Sequence, residues 1–288
     1  MKLDLDAKSA GYLLDKLREE KPLVQCITNY VSMDIMANCL LAIGASPAMV
    51  HCAEEAADFQ KIASALLINV GTLSTEWVAG MKMAAGAANI LQKPWVLDPV
   101  AAGATPFRTE TIVYLAKLRP WVIRGNASEI MALAGAAGAT RGVDSTAESS
   151  EAVELGKQLA LDLRTIVAVS GKVDYVTDGT RVLEVHHGTP MLQKITATGC
   201  TLTALIAAFV SCAQDDPLVA TAHAMAMFGL AGEIAEQVCE KEVVAANGPG
   251  AVRVQLIDAL YTLDRSDLYT HYDVVEQMLD SPSDVSDA

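Results

Sequence analysis

Short apolar runs that alternate with longer helical patterns constrain the fold of this chain more than any other feature. Runs rich in Val, Leu and Ile occupy 23–27, 66–71, 95–100, 121–126 and 165–171. The helical patterns between them lie at 33–44, 79–91, 109–118, from Glu129 onward, and at 150–164. Strands that are apolar on both faces are typical of parallel sheets covered by helices on both sides. The sequence therefore predicts an α/β fold of three layers with a mainly parallel central sheet.

The alternation of strands and helices changes after residue 171. DYVTDGTRVLEV (174–185) places two β-rich runs around Asp178 and Gly179, which predicts a hairpin that adds an antiparallel edge. Patterns at 199–213, 217–240, 250–263 and 271–280 predict a C-terminal helical run. The Gly-, Ser- and Thr-rich segment 136–150 is expected to be a surface loop, and the polar tail 281–288 to be disordered. Because α/β folds often occupy this length as one unit, we expect residues 1–288 to form a single domain.

Charge and composition narrow the class of ligand. The chain carries 21 Lys and Arg against 35 Asp and Glu, a formal charge of −14, which opposes binding to nucleic acid or an anionic membrane. The start lacks the pattern of a secretory signal, and we see no apolar run of the roughly 20 residues that a membrane helix needs. The six cysteines form no CxxC pair, and five lie in apolar patterns typical of small buried thiols. These features predict a cytoplasmic protein with a small-molecule substrate.

Polar residues close several of the predicted strands. Ligands of open α/β sheets bind at the carboxyl ends of the strands, so Asn69, Asp98, Arg124 and Ser170 are candidates for a site. Asp98, which precedes Pro99, is either a turn residue or a carboxylate for a metal and its waters. Arg124 is either a surface ion-pair partner or a guanidinium fork for phosphate oxygens.

NASE (126–129) has two readings as well. Asn126 as the N-cap and Glu129 at the third helical position would form a capping box, and both residues could equally face a ligand. Familiar signatures are missing from the sequence: there is no P-loop GxxxxGK[ST], no strand-linked GxGxxG and no HExxH.

The segment ATGC (197–200) runs directly into a long apolar helical pattern. A helix that begins near Gly199 leaves the N–H groups of Thr198, Gly199 and Cys200 unpaired, with the positive end of the helix dipole behind them. This predicts an anion site for a phosphoryl group, although an ordinary tight turn would read the same way. The helix terminus should lower the pKa of Cys200, yet no His lies in a partner motif, and His223 is expected to pack on a helix face.

In their order along the chain, these motifs resemble the hydroxyethylthiazole kinase family of the ribokinase-like superfamily. The resemblance runs from about residue 22 to 263. It is carried by ITNYVSMDIMANCLLAIGASPAMV (27–50), VLDPVAAGAT (96–105), VIRGNASEI (122–130), VSGKVDYVTDG (169–179), ATGCTLTALIAAF (197–209) and GPGAVRVQLIDALY (248–261).

This resemblance implies a ribokinase-like fold and the ATP-dependent, Mg²⁺-aided phosphorylation of the hydroxyl of 4-methyl-5-(2-hydroxyethyl)thiazole in thiamin salvage. It also implies a homotrimer with substrate pockets between subunits. The implied site residues are Cys200, Gly199 and Thr198 for catalysis; Met49, Ala197 and Asn29 for the thiazole; Arg124, Ser170 and Asn126 for ATP; and Asp98 and Glu129 for the metal.

The sequence departs from the family pattern at two positions, and Cys200 departs from the wider superfamily. Relatives carry Gly where this chain has Ala197 and Thr where it has Ser170; an alanine is tolerated there if its φ is negative. An aspartate base is usual at the Cys200 position, so we expect Cys200 to be a weak base or mainly a positioning group. Two alternatives stay open: a ribokinase-like kinase for another small heterocyclic alcohol, and a catalytically silent ligand-binding relative.

Overall fold

The computed structural model describes residues 2–137, 149–241 and 247–277. Its helices are α1 (Ala7–Glu20), α2 (Met33–Ile43), α3 (Ala53–Phe59), α4 (Thr75–Ile90), α5 (Pro106–Lys117), α6 (Ala127–Ala137), α7 (Ser149–Leu163), α8 (Thr198–Cys212), α9 (Pro217–Lys241), α10 (Pro249–Thr262) and α11 (Arg265–His271). Its strands are β1 (Leu23–Ile27), β2 (Ser46–Ala48), β3 (Ala65–Asn69), β4 (Trp95–Asp98), β5 (Val122–Asn126), β6 (Ile166–Ser170), β7 (Asp174–Thr177), β8 (Val182–Val185) and β9 (Val274–Glu276). A 3₁₀ helix spans Pro190–Lys194.

All of these strands join one sheet, in the order β2-β1-β3-β4-β5-β6-β7-β8-β9. The pairs from β2 to β6 are parallel, and β7, β8 and β9 continue the sheet as antiparallel strands. The mainly parallel sheet and the hairpin around Gly179 are therefore confirmed. Because the parallel strands share one direction, their carboxyl ends meet at one edge of the sheet.

Helices cover both faces of the sheet and create two apolar layers. In β3, Leu67 belongs to the apolar layer that includes residues of α1, α2, α8, α9 and α10, whereas its neighbours Leu66 and Ile68 belong to the layer that includes residues of α4 to α7. Successive strand residues point to opposite faces, so an apolar run buries both of them. This explains why the parallel strands lack alternation, and it confirms the three-layer architecture.

Helix α9 is the core helix of the fold. Its 25 residues are long and apolar enough to cross a membrane, but 89% of its most apolar window is buried inside the protein. That burial is typical of a soluble enzyme. His223 is fully buried on this helix, where its Nδ1 lies 2.6 Å from the hydroxyl of Tyr272, as expected for a packed helix-face residue.

The predicted helix at 271–280 is wrong where the structure describes it. Asp264 and Asp267 form a capping box that starts α11 at Arg265, and the helix ends at His271. The chain then becomes extended, and β9 pairs with β8. β-Branched Val274 and Val275 favour a strand, and the ladder hydrogen bonds with β8 satisfy a backbone edge that would otherwise be unpaired.

Other expectations have mixed outcomes. Residues 138–148 of the predicted loop and the whole predicted tail 281–288 lie outside the described residues, and the ends of segment 136–150 belong to α6 and α7. The short elements β2 and α3 were not predicted.

Four cysteines are buried as expected, but Cys52 is exposed because it precedes α3 at the surface. The single-domain organisation stays a prediction.

Candidate active site

A cleft of about 800 Å³ opens at the carboxyl edge of the sheet. Strands β4, β5 and β6 end at its floor, and the first turn of α8 forms one wall. Sheet register explains the grouping, since Asn69 pairs with Asp98 and Asn126 pairs with Ser170 in neighbouring strands. All the site residues predicted from the sequence line this cleft, apart from Met49, Asn29 and Asn69.

The first turn of α8 presents unpaired backbone donors to the cleft. The helix begins at Thr198, and its first internal bond runs from the Thr201 N–H to the Ala197 carbonyl (2.9 Å). No side chain caps this end, so within the described chain the N–H groups of Thr198, Gly199 and Cys200 have no acceptor. These donors and the helix dipole form a site suited to an anion, as predicted.

Thr198 contributes to the site through its backbone, because its side chain is used elsewhere. Its hydroxyl donates to the carbonyls of Leu192 (2.9 Å) and Ile195 (3.2 Å), which lie in the turn before the helix. The hydroxyl therefore fixes the turn that leads into α8 and does not cap the first turn of the helix.

Ala197 adopts a left-handed conformation with φ 66°. We expected an alanine to be tolerated at this position if its φ is negative, and the observed φ is positive. The turn needs this conformation because the extended backbone at Ile195 must enter α8 at once. A left-handed alanine costs about 1–2 kcal/mol relative to a right-handed one. The strain lies at the cleft wall, where the Ala197 carbonyl also accepts the hydroxyl of Thr201 (2.9 Å).

Arg124 and Ser170 form a polar pair at the ends of β5 and β6. Arg124 Nη2 donates to Ser170 Oγ at 2.6 Å, and the Arg124 Nε lies buried without a hydrogen-bond partner in the described structure. An orphaned guanidinium N–H in a cleft is a donor for an incoming anion. The guanidinium also packs on the α8 turn, since a Cβ at Gly199 would lie 2.7 Å from Arg124 Nη1.

Asp98 is a buried carboxylate held by two neighbours. Asn69 Nδ2 donates to its Oδ2 at 2.7 Å, and the hydroxyl of Thr203 donates to the same atom at 3.0 Å. The pKa of Asp98 is raised to about 6, mainly by burial and to a smaller extent by nearby Glu129, which together outweigh the lowering effect of Arg124. The carboxyl group thus lies among charges of both signs at the cleft floor.

The capping-box reading of NASE is confirmed. The Glu129 N–H donates to Asn126 Oδ1 (3.0 Å), and the Asn126 N–H donates to Glu129 Oε2 (2.9 Å). Glu129 Oε1 accepts the backbone N–H of Ala101 (2.9 Å), which fixes the loop after β4. Both residues also line the cleft, so a structural role does not exclude contact with a ligand.

The donor set of Asp98 and Glu129 fits Mg²⁺ better than a dedicated protein cage. In the described part of the chain, no group of three or more His, Cys, Asp or Glu side chains is arranged to hold a metal. Mg²⁺ usually keeps several waters and binds one or two carboxylates together with substrate phosphates. Two carboxylates that repel each other beside an anion site match that pattern.

Cys200 is a protonated thiol at neutral pH, contrary to the expected lowering of its pKa. Burial raises its pKa to about 11, and the nearby carboxylate of Asp98 contributes, which together outweigh the helix terminus. Asn29 Nδ2 donates to Cys200 Sγ at 3.5 Å. Histidine provides no base for it, because the ring nitrogens of His187, in the same cleft, are paired with Glu233 and the Asp273 N–H.

A family model for the hydroxyethylthiazole kinase family matches residues 14–266 of the chain. The hydroxyethylthiazole kinase of Arabidopsis thaliana is 52% identical over 254 residues, which cover 88% of this chain and 90% of that protein. The chain belongs to the hydroxyethylthiazole kinase family. Membership confirms the family predicted from the sequence, and with it the expected hydroxyethylthiazole kinase activity.

Solved structures agree with this membership. The hydroxyethylthiazole kinase protein from Pyrococcus horikoshii OT3 has a TM-score of 0.85 and 40% identity, and covers 94% of this chain and 100% of its own. A ribokinase-like superfamily protein from Enterococcus faecalis V583 has a TM-score of 0.58 at 14% identity, covering 88% of this chain and 95% of its own. The second likeness concerns the fold alone, and it confirms the ribokinase-like architecture.

Met49 and Asn29 stand apart from the other predicted residues of this kinase. Asn29 lies behind the cleft, where it contacts Cys200 and Asn69. Met49 follows the edge strand β2 and packs, half-buried, against the core. Neither lines the cleft, whereas Ala197, the third residue predicted to bind the thiazole, does.

Several cleft residues of the enzyme were not predicted from the sequence. Asp174, at the start of β7, accepts the Gly171 N–H (2.8 Å), and burial raises its pKa to about 6. The VSGKVD block contains this residue, so the resemblance offered a signal for it. Leu202, Met225 and Phe228 line an apolar part of the cleft, but their helical spacing is that of ordinary core residues.

Proposed function

We propose that this cleft transfers the γ-phosphoryl group of ATP to the hydroxyl of 4-methyl-5-(2-hydroxyethyl)thiazole. The observation that carries the assignment is the uncapped first turn of α8 beside Arg124, whose buried Nε has no partner. Catalysis of phosphoryl transfer requires mainly that the protein positions the reacting groups and stabilises the charge on the phosphoryl oxygens. Three backbone N–H groups and a fixed guanidinium supply both without requiring a basic protein surface.

In this proposal, ATP extends across the cleft from the sheet edge to α9. Arg124, Ser170 and Asn126 bind its phosphates and ribose, and the apolar part of the cleft receives the purine ring. Support comes from the composition of the lining, because Leu202, Met225 and Phe228 add apolar surface to a cleft whose other residues are largely polar. A mainly apolar lining with a few placed polar groups is typical of a small-molecule pocket.

Asp98 and Glu129 would hold Mg²⁺ through its waters. When bound, the ion neutralises charge on the phosphate oxygens. The N–H groups of Thr198, Gly199 and Cys200 stabilise the transferring phosphoryl group, and the Arg124 fork orients it. The Cys200 thiol lies next to the reacting hydroxyl and positions it; its high pKa makes it a weak base.

The thiazole would be bound near Asn29 and Met49, with the backbone of Ala197 between it and the phosphate site. Met49 lies outside the cleft, and exposed Tyr30 and Val31 adjoin Asn29. These observations support a homotrimer in which a neighbouring subunit completes each pocket. We further propose that the enzyme works in the cytoplasm, since the cysteines of the described residues form no disulfide.

The test measures ADP production from Mg·ATP with hydroxyethylthiazole, pyridoxal and a hydroxymethylpyrimidine as acceptors. Thiazole-dependent ADP is expected, whereas a preference for another alcohol supports the other small-alcohol kinase and no turnover supports a silent binding protein. Arg124→Ala should raise the KM for ATP about 10-fold or more, from the loss of a charged hydrogen bond. Exposed Arg119→Ala is the matched control and should leave KM unchanged.

A further inference from the structure

A chain of buried amides connects Asp98 to the Cys200 sulfur. Asn69 Nδ2 donates to Asp98 Oδ2 at 2.7 Å, and Asn69 Oδ1 accepts Asn29 Nδ2 at 2.8 Å. Asn29 Nδ2 in turn reaches Cys200 Sγ at 3.5 Å. Asn69 is completely buried and Asn29 nearly so, which makes this a network without solvent to replace its bonds.

The direction of every bond in this chain is determined by its fixed neighbours. The carboxylate of Asp98 can only accept, and the Gly71 N–H, which donates to Asn69 Oδ1 at 3.0 Å, can only donate. The amide of Asn69 therefore has one allowed orientation. Asn29 is fixed in the same way, since its Oδ1 accepts the backbone N–H groups of Val31 (3.1 Å) and Ser32 (3.0 Å).

The consequence falls on the sulfur. With Asn29 Nδ2 directed at it, Cys200 Sγ is a hydrogen-bond acceptor on its inner side, and the amides of Asn29 and Asn69 both lower the thiol pKa against the larger effects of burial and Asp98. Backbone packing protects this arrangement, because a Cβ at Gly71 would lie 2.7 Å from both the Cβ and the Nδ2 of Asn29. The chain leaves little room for Asn29 to turn away.

We propose that Asn69 is a positioning residue for phosphoryl transfer, which holds the Asn29 amide on the Cys200 sulfur so that the sulfur can bear negative charge. This inference rests on the proposed assignment of the cleft. Asn69 acts through Asn29 and Cys200 and does not itself line the cleft. Its effect should therefore appear in kcat, whereas the KM for ATP depends on Arg124 and Ser170, which it does not contact.

Asn69→Ala is the first test. It should lower kcat roughly 10- to 100-fold, as expected when a preorganised donor near developing charge is misplaced, with little change in the KM for ATP. Adding Asn69→Ala to a Cys200→Ala enzyme should cause no further loss of kcat. A kcat equal to that of the wild type, or losses that multiply in the double variant, would overturn the proposal.

The rate of Cys200 alkylation in the free enzyme separates a positioning role of Asn69 from a merely structural one, because the two roles change that rate in opposite directions. Iodoacetamide labelling of Cys200, measured by peptide mass spectrometry at fixed pH, should slow about 2- to 10-fold in Asn69→Ala, because the hydrogen bond donated to the thiolate has been lost. Labelling of buried Cys26 and Cys39 should not change. Faster labelling at Cys200, or new labelling of the buried thiols, means that the core has loosened and contradicts the proposal.

Two further variants keep the test decisive. Asn69→Ser retains an oxygen for the turn bond to the Gly71 N–H but cannot span to Asp98 and Asn29, so it should reproduce both effects if Asn69→Ala does not fold. Asn89→Ala is the matched control: it removes bonds to the Leu118 carbonyl (2.7 Å) and Trp95 Nε1 (2.9 Å) away from the cleft, and should alter neither kcat nor Cys200 labelling. If the wild type makes no thiazole-dependent ADP, the proposed function fails, but the labelling comparison still decides the inference.

Discussion

Replacing Gly199 with alanine isolates the contact between the α8 turn and Arg124. The new Cβ would lie 2.7 Å from Arg124 Nη1, closer than carbon and nitrogen can pack. Gly199 does not have a positive φ, so an alanine there carries no backbone strain of its own. The atom it meets is the end of a flexible side chain, and the guanidinium should therefore move while the helix stays in place.

The magnitude follows from the bonds that the guanidinium makes. A shift of about 1 Å would break the 2.6 Å hydrogen bond to Ser170 and displace the buried Nε. A hydrogen bond to a charged group contributes about 1.5–3 kcal/mol, equivalent to roughly 10- to 100-fold in binding or rate. We expect Gly199→Ala to lower kcat/KM for ATP by that factor and to leave the melting temperature nearly unchanged.

The assay is steady-state ADP production at varied ATP and saturating thiazole, with thermal melting of the same samples. Gly86→Ala is the matched control, since an added Cβ on that helical residue of α4 would meet no atom within 4 Å. It should keep wild-type kinetics and gain slightly in stability from helix propensity. An ATP kcat/KM in Gly199→Ala equal to that of Gly86→Ala would refute the proposed contact between Arg124 and the phosphates.

Three more predictions concern the same cleft. Cys200→Ala should lower kcat but leave measurable turnover. Cys200→Asp should be active, because a carboxylate is ionised at neutral pH whereas a thiol with a pKa of about 11 is protonated. A wild-type kcat in Cys200→Ala would show that Cys200 has no role as a base. Ala197→Gly should raise the free energy of unfolding by up to about 1 kcal/mol in denaturant titrations. The reason is that the strain of a left-handed alanine costs more than the extra conformational entropy that glycine gives the unfolded chain. A less stable variant would contradict this. The pKa of Asp174 is raised to about 6, so the folded state binds its proton more tightly than the unfolded state and stability falls as pH rises from about 4 to 6. Asp174→Asn removes this dependence and should melt at a higher temperature than the wild type above about pH 7 but not below about pH 4.

The location of the site could be predicted from the sequence because parallel strands end together. Asp98, Arg124 and Ser170 each follow an apolar run, and the sheet brings those ends side by side in register. The helix start at Thr198 was within one residue of its predicted place, because a small-residue turn before an apolar pattern is a strong local signal. These features depend on neighbours in sequence or on strand direction alone.

The predictions that were wrong concern properties that depend on residues distant in the sequence. The helix dipole favours a low pKa at Cys200, but burial and the distant Asp98 decide the outcome, and neither is visible in the segment ATGC. Residues 274–276 lie in the pattern 271–280 that was predicted to be helical, but they form a strand because they pair with the edge of β8. The positive φ of Ala197 also has no signal in the residues of this chain.

An acidic protein can bind ATP here because the phosphate site uses few charges. The formal charge of −14 opposes general attraction of a polyanion, and the buried Asp98 and the half-buried Asp174 both line the cleft. Against them lie the guanidinium of Arg124, the exposed ammonium of Lys172 and three backbone N–H groups. The partial charges of the N–H groups need no further lysine or arginine side chain to be desolvated. Such a site is strong only at short range and in a fixed geometry. Glycines at 71 and 199 help to meet that requirement, because they admit the side chains of Asn29 and Arg124 against the backbone.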